Sequence, residues 1–245
     1  MRKPGERQDG YVAAGDTRIY YQCIGKGMPV VMLHGNRQNQ QVFGGILRYF
    51  TQDYQVILID SRGQGLTGIG KTTLDFSLLA EDVLRVLAHL HIRKAVIIGF
   101  SDGANTALQM ALEYPGRVRG LVLISGNIRP SGLKVMFRKF IIYHYRILQI
   151  VEPLSKRIHR QVELSSLMAV NPKVDVARLK TMHAPVLILA GEHDVVERQH
   201  TLAIVDAIPH SEVHLIKGAH HMSLFHRPEE YIGWIRPFLE SVSSG

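Results

Sequence analysis

The residues best suited to chemistry lie in Val96-Ile97-Ile98-Gly99-Phe100-Ser101-Asp102-Gly103-Ala104-Asn105. An apolar, β-branched run leads straight into Gly-Phe-Ser-Asp-Gly and then into residues of helical period, so Ser101 falls on a tight strand-to-helix turn. Side chains at positions 99 and 103 would collide with the adjoining strand and helix, and the turn holds the serine backbone in a strained conformation. The turn also puts Ser101 at a helix N-terminus, where unpaired N–H groups stabilise a developing oxyanion. A serine hydroxyl is a weak nucleophile at neutral pH and needs a histidine base, itself oriented by a carboxylate. The acid candidate is Asp194 in Ala190-Gly191-Glu192-His193-Asp194, directly after an apolar run, with Glu192 as the alternative. The run ending in Leu123-Ile124-Ser125-Gly126-Asn127 offers no acid. Two of the 13 histidines, His220 and His221, stand in Ile216-Lys217-Gly218-Ala219-His220-His221-Met222, expected to be a loop between the last strand and the last helix.

These groups need a scaffold that brings distant segments to one edge. Apolar runs without alternation occur at 29–33, 55–59, 95–100, 120–124, 185–190 and 212–216, as expected of strands buried on both faces. Stretches of helical period at 74–90, 104–113, 198–208 and 228–239 fall between or after them. This alternation predicts a doubly wound α/β fold. At the front, 11–14 and 18–24 alternate around Gly15-Asp16 and predict an antiparallel hairpin, bringing the total to about eight strands.

Composition excludes several classes. With 245 residues, 46% of them hydrophobic and 20% charged, the chain buries a full core and lacks the signature of disorder. The lone Cys23 can form neither an internal disulfide nor a zinc site, and adjacent histidines cannot chelate as an i, i+4 pair does, so no metal is expected. The N-terminal residues are charged and no apolar run reaches about 18 residues, which predicts a cytoplasmic protein without leader or membrane span. The net charge of +8 is confined to 127–182, where eleven Lys and Arg face three acids. This segment separates two core strands by far more than a usual connection, and reads as a helical insertion with one apolar and one basic face. Its cations suit an anionic substrate, a phospholipid surface or plain solvation; no nucleic-acid motif accompanies them.

The serine motif, His34-Gly35, Asp60-Ser61-Arg62-Gly63-Gln64-Gly65, Gly191-Glu192-His193-Asp194 and Gly218-Ala219-His220-His221 together resemble the α/β-hydrolase superfamily. The resemblance implies a core of residues 1–126 and 183–245 around a mostly parallel eight-stranded sheet, with 127–182 as a cap. The family order of serine, acid and histidine fits Ser101, Asp194 and a late histidine, and the family pattern Gly-Ala-x-His selects His221, leaving His220 to shape the pocket rim. The implied oxyanion hole uses the backbone N–H groups of Asn36 and Asp102, and the Asp60 loop is implied to be structural. The Asp102 side chain has two readings: an acid favoured by the helix dipole, or, as in relatives resembling valacyclovir hydrolase, a group that helps hold a substrate's amino group. Acyl transfer on a small-molecule ester, without a cofactor, is the implied activity. Thioesters, lactones and carbon–carbon bonds beside a ketone stay open, whereas a serine in place of aspartate argues against dehalogenase and epoxide-hydrolase chemistry. The cap residues Phe137, Phe140, Ile141, Ile147 and Leu148 are expected to line the acyl pocket. The other class that keeps such residues is a ligand-sensing receptor with little turnover.

Overall fold

The computed structural model describes residues 7–243; the charged stretch 1–6 lies outside them. Eight strands form one sheet: β1 (Gln8–Ala14), β2 (Thr17–Ile24), β3 (Met28–Leu33), β4 (Tyr54–Ile59), β5 (Ala95–Phe100), β6 (Val118–Ile124), β7 (Val186–His193) and β8 (Ser211–His220). Their order is β1-β2-β4-β3-β5-β6-β7-β8. Only β2 runs antiparallel to its neighbours, β1 and β4, and the six strands from β3 to β8 are parallel. The chain order reverses between β3 and β5, so the loops leaving those two strands diverge and open a crevice at their C-terminal ends. Sheets of this kind place their ligands at such a point.

Side-chain alternation along the strands divides the core into two layers. Val31, Leu33, Ile57, Ile59, Ile97, Leu121, Leu123 and Ile188 point to one face, where α1 (Phe76–His89), α2 (Asp102–Glu113) and α6 (Arg198–Ala207) cover them. Val30, Met32, Val56, Leu58, Ile98, Val122 and Leu187 point to the other, under the last helix (Pro228–Ser243). With both faces covered, the central strands need apolar residues at every position, which is why their sequences show no alternation. Asp75 caps α1 by accepting a hydrogen bond from the Leu78 N–H at 2.8 Å.

Between β6 and β7 the chain forms α3 (Val135–Val151), α4 (Lys156–Ala169) and the single turn α5 (Val176–Leu179). One face of α3 packs inward: Phe137, Ile141 and Tyr145 meet Leu133, Ala169 and Val196. Leu164 and Leu167 of α4 pack on Leu74, Phe76 and Leu79 at the start of α1, and the Leu74 N–H donates to Glu163 at 2.6 Å. The expectation of a single apolar face needs correction. Phe140 and Ile147, expected to line a pocket, are exposed on a different side of α3 from Ile141, about 100–120° around the helix. Positions 137, 141 and 145 fall on one line of the helix and 140, 143 and 147 on another, so the helix is apolar on two sides. Among the described residues, no helix is long and apolar enough to cross a membrane.

Candidate active site

Ser101 stands between β5 and α2 with φ +54° and ψ −120°, a left-handed backbone that a non-glycine residue adopts only under constraint. Its N–H is tied to the Ile124 carbonyl at 2.8 Å. Both flanking glycines are sterically required. A Cβ on Gly103 would lie 2.1 Å from the Leu33 carbonyl oxygen, and one on Gly99 would lie 2.2 Å from that of Gly103. The close approach of β3, β5 and α2 is thus possible only with hydrogen at these positions.

Three side chains from three segments meet at the crevice. The Oγ of Ser101 is 3.2 Å from Nε2 of His221, whose Nδ1 is 2.7 Å from Oδ1 of Asp194. Because Nδ1 faces a carboxylate it carries the proton, which leaves the Nε2 lone pair directed at the serine hydroxyl. Asp194 is buried, and burial alone would raise its pKa. Hydrogen bonds from His221, Ser125 and the Val196 N–H outweigh burial and hold it below the ordinary carboxylate value. The Ser125 hydroxyl donates to Oδ2 at 2.5 Å, so each carboxylate oxygen has its own side-chain partner. Phe100 packs its ring 5.0 Å from that of His221 and limits the positions the imidazole can take.

Asn36, in the loop after β3, and Asp102, the first residue of α2, line the same cavity as Ser101. His34, buried at the end of β3, steers that loop: its Nε2 accepts from the Ser61 N–H at 3.0 Å, so its Nδ1 carries the proton and donates to the Gly35 carbonyl at 2.8 Å. The Asn36 side chain spans three elements, donating through Nδ2 to Asp102 Oδ2 at 2.7 Å and to the Leu164 carbonyl of α4 at 2.8 Å. Burial pushes the Asp102 carboxyl up to about 6, against the opposing pull of Asn36 and His221. A cavity opens over these groups, walled by Phe100, Leu133, Phe137, Met168, Val196 and Met222. Arg37 stands at its rim with φ +57° and donates to Ser165 Oγ at 2.7 Å.

Residues 28–140 match the family model of the alpha/beta hydrolase fold. A crystal structure of a hydrolase from Pseudomonas aeruginosa superposes with a TM-score of 0.81 at 20% identity, covering 94% of this chain and 98% of that one. The chain has the alpha/beta hydrolase fold. A pimeloyl-[acyl-carrier protein] methyl ester esterase of Legionella pneumophila is 25% identical over 91% of this chain and 99% of its own length. Another relative, from Azorhizobium caulinodans, is 29% identical over 122 residues, 50% of this chain and 46% of its own length.

Within this fold, several sequence expectations are resolved. Glu192, the alternative acid, is exposed and accepts from the Gly218 N–H at 2.8 Å, away from His221. His220 does not line the cavity; it ends β8, pairs with His193 across the sheet and faces its ring at 5.2 Å. The segment expected as a loop is therefore strand as far as His220, and His221 is the first residue beyond it. The Asp60 loop is a brace. Asp60 accepts from the N–H groups of Gln40 and Leu66, and Arg62 binds Asp82 through two nitrogens at 2.8 and 2.9 Å. Sequence reasoning missed Ser125 and the Asn36 side chain, whose partners lie 69 and 66 residues away along the chain.

Proposed function

We propose that this α/β-hydrolase cleaves a carboxylic ester, or a related acyl bond, of a small molecule. The observation that carries the reading is the unbroken line from Asp194 through His221 to Ser101 at the base of an apolar cavity. In this reading His221 takes the Ser101 proton as Oγ attacks the carbonyl carbon, and Asp194 stabilises the imidazolium. The Asn36 and Asp102 N–H groups bind the oxyanion. The imidazolium then protonates the leaving alcohol, and water, activated by the same histidine, hydrolyses the acyl-enzyme. The segment 127–182 acts as a cap: Leu133, Phe137 and Met168 form walls that receive the apolar part of the substrate. The relative named as a methyl ester esterase supports the ester class.

The test is hydrolysis of p-nitrophenyl esters from acetate to decanoate, beside Ser101→Ala, His221→Ala and His220→Ala. Turnover falls by about ten-thousand-fold in the first two variants and stays within about twofold in the third. Wild-type turnover no higher than that of Ser101→Ala refutes the esterase reading and leaves carbon–carbon hydrolysis or a receptor role.

A further inference from the structure

We propose that the outward face of α3 docks on an anionic phospholipid bilayer. Met136, Phe140, Tyr143, Ile147 and Ile150 are 77%, 65%, 67%, 41% and 78% exposed, far more than large apolar side chains need be in a helix already anchored through its other side. At about 100° per residue the five fall within an arc of about 80°, and at 1.5 Å per residue the stripe runs about 21 Å along the surface. Exposed Lys139 and Arg146, seven residues apart, flank one side of it, and α3 contains neither Asp nor Glu. An exposed apolar stripe edged by cations matches a helix lying in a membrane interface, its apolar side chains among the acyl chains and its cations at the phosphates.

Charge decides between occupants. The segment 127–182 carries the whole net charge of +8, so a second copy laid on this face would bring like charges together, whereas an anionic surface is attracted. An acidic protein would have to match a straight stripe whose polar groups are few; a fluid bilayer needs no such match. Phe137, next in the chain to Met136, lines the cavity over Ser101. A bilayer under α3 therefore lies about one helix diameter, roughly 10 Å, from the cavity wall. The inference stands on the surface of α3 alone and does not require the hydrolytic reading.

The test is co-sedimentation of the full chain with vesicles of pure phosphatidylglycerol and, separately, of pure phosphatidylcholine, at low and high salt. The wild-type chain partitions onto phosphatidylglycerol, much less onto phosphatidylcholine, and less at high salt. The double variant Met136→Ser/Ile150→Ser, at the two most exposed positions and outside the cavity, loses at least about tenfold in partition with unchanged circular dichroism. Three results overturn the proposal. They are no partition of the wild type at low salt, a wild-type dimer in sedimentation that the double variant splits, and phosphatidylglycerol binding that survives Met136→Ser/Ile150→Ser but disappears in Lys139→Gln/Arg146→Gln, the pattern of charge attraction in which the apolar stripe plays no part.

Discussion

Replacing Asp102 by asparagine stabilises the protein at neutral pH, by an amount that follows from its burial. The carboxyl is 6% exposed, and its pKa rises from 3.8 to about 6, chiefly through loss of solvent. Asparagine keeps the shape and still offers Oδ1 to the Asn36 amide, but has no charge to bury. Because the folded pKa exceeds the unfolded one, there is no penalty well below pH 3.8, where both states are protonated. The penalty grows as pH rises through the window from 3.8 to about 6 and is complete above it. A shift of about two units at 1.36 kcal/mol each gives about 3 kcal/mol at pH 7.5, against about 1 kcal/mol near pH 4.5. Urea unfolding of both proteins at these two pH values measures the gap, which should widen by about 2 kcal/mol. In a chain of this size the full effect raises Tm by about 6–12 °C. A gap independent of pH, or an asparagine variant less stable near pH 7.5, refutes the reasoning.

Ser125→Ala removes one of the donors that fix Asp194 and should lower kcat on p-nitrophenyl acetate by about tenfold while leaving KM nearly unchanged, since an orienting bond is lost rather than a substrate contact. Gly103→Ala forces a Cβ against the Leu33 carbonyl and should cost more than about 3 kcal/mol, seen as a collapsed Tm or insoluble expression. Arg62→Met strands the buried Asp82 carboxylate and should cost about 3–5 kcal/mol in urea unfolding. The double variant Arg62→Met/Asp82→Leu, which buries no lone charge, should recover most of that loss.

The parts legible in sequence were those whose physics is local. The strand–Gly–Phe–Ser–Asp–Gly–helix junction announces itself because the turn packs so closely, on itself at Gly99 and on β3 at Gly103, that only glycine fits at both positions, and the central strands do so because burial on both faces forbids polar residues. The last strand was read too short. Lys217 and Gly218 suggest its end, yet pairing with β7 carries β8 on to His220 after an irregularity near Gly191. The two faces of α3 were read as one because helical spacing reports that apolar residues recur but not which line of them meets a partner. Ser125 and Asn36 were invisible for another reason. Their hydroxyl and amide act on groups that only the completed sheet and insertion bring within reach.

The amide of Asn36 gives the crevice a mechanical property. Its two hydrogens point in opposite allegiances, one to the turn that carries the serine and one to a helix of the insertion. If α4 swings away, it leaves behind a donor without an acceptor in a partly buried place, at about 1–3 kcal/mol. In the proposed mechanism, opening the roof over the cavity thus loosens the residue assigned to position an oxyanion donor, and closing it tightens that residue again. In that mechanism, admission of a substrate and readiness to react on it are coupled through a single side chain.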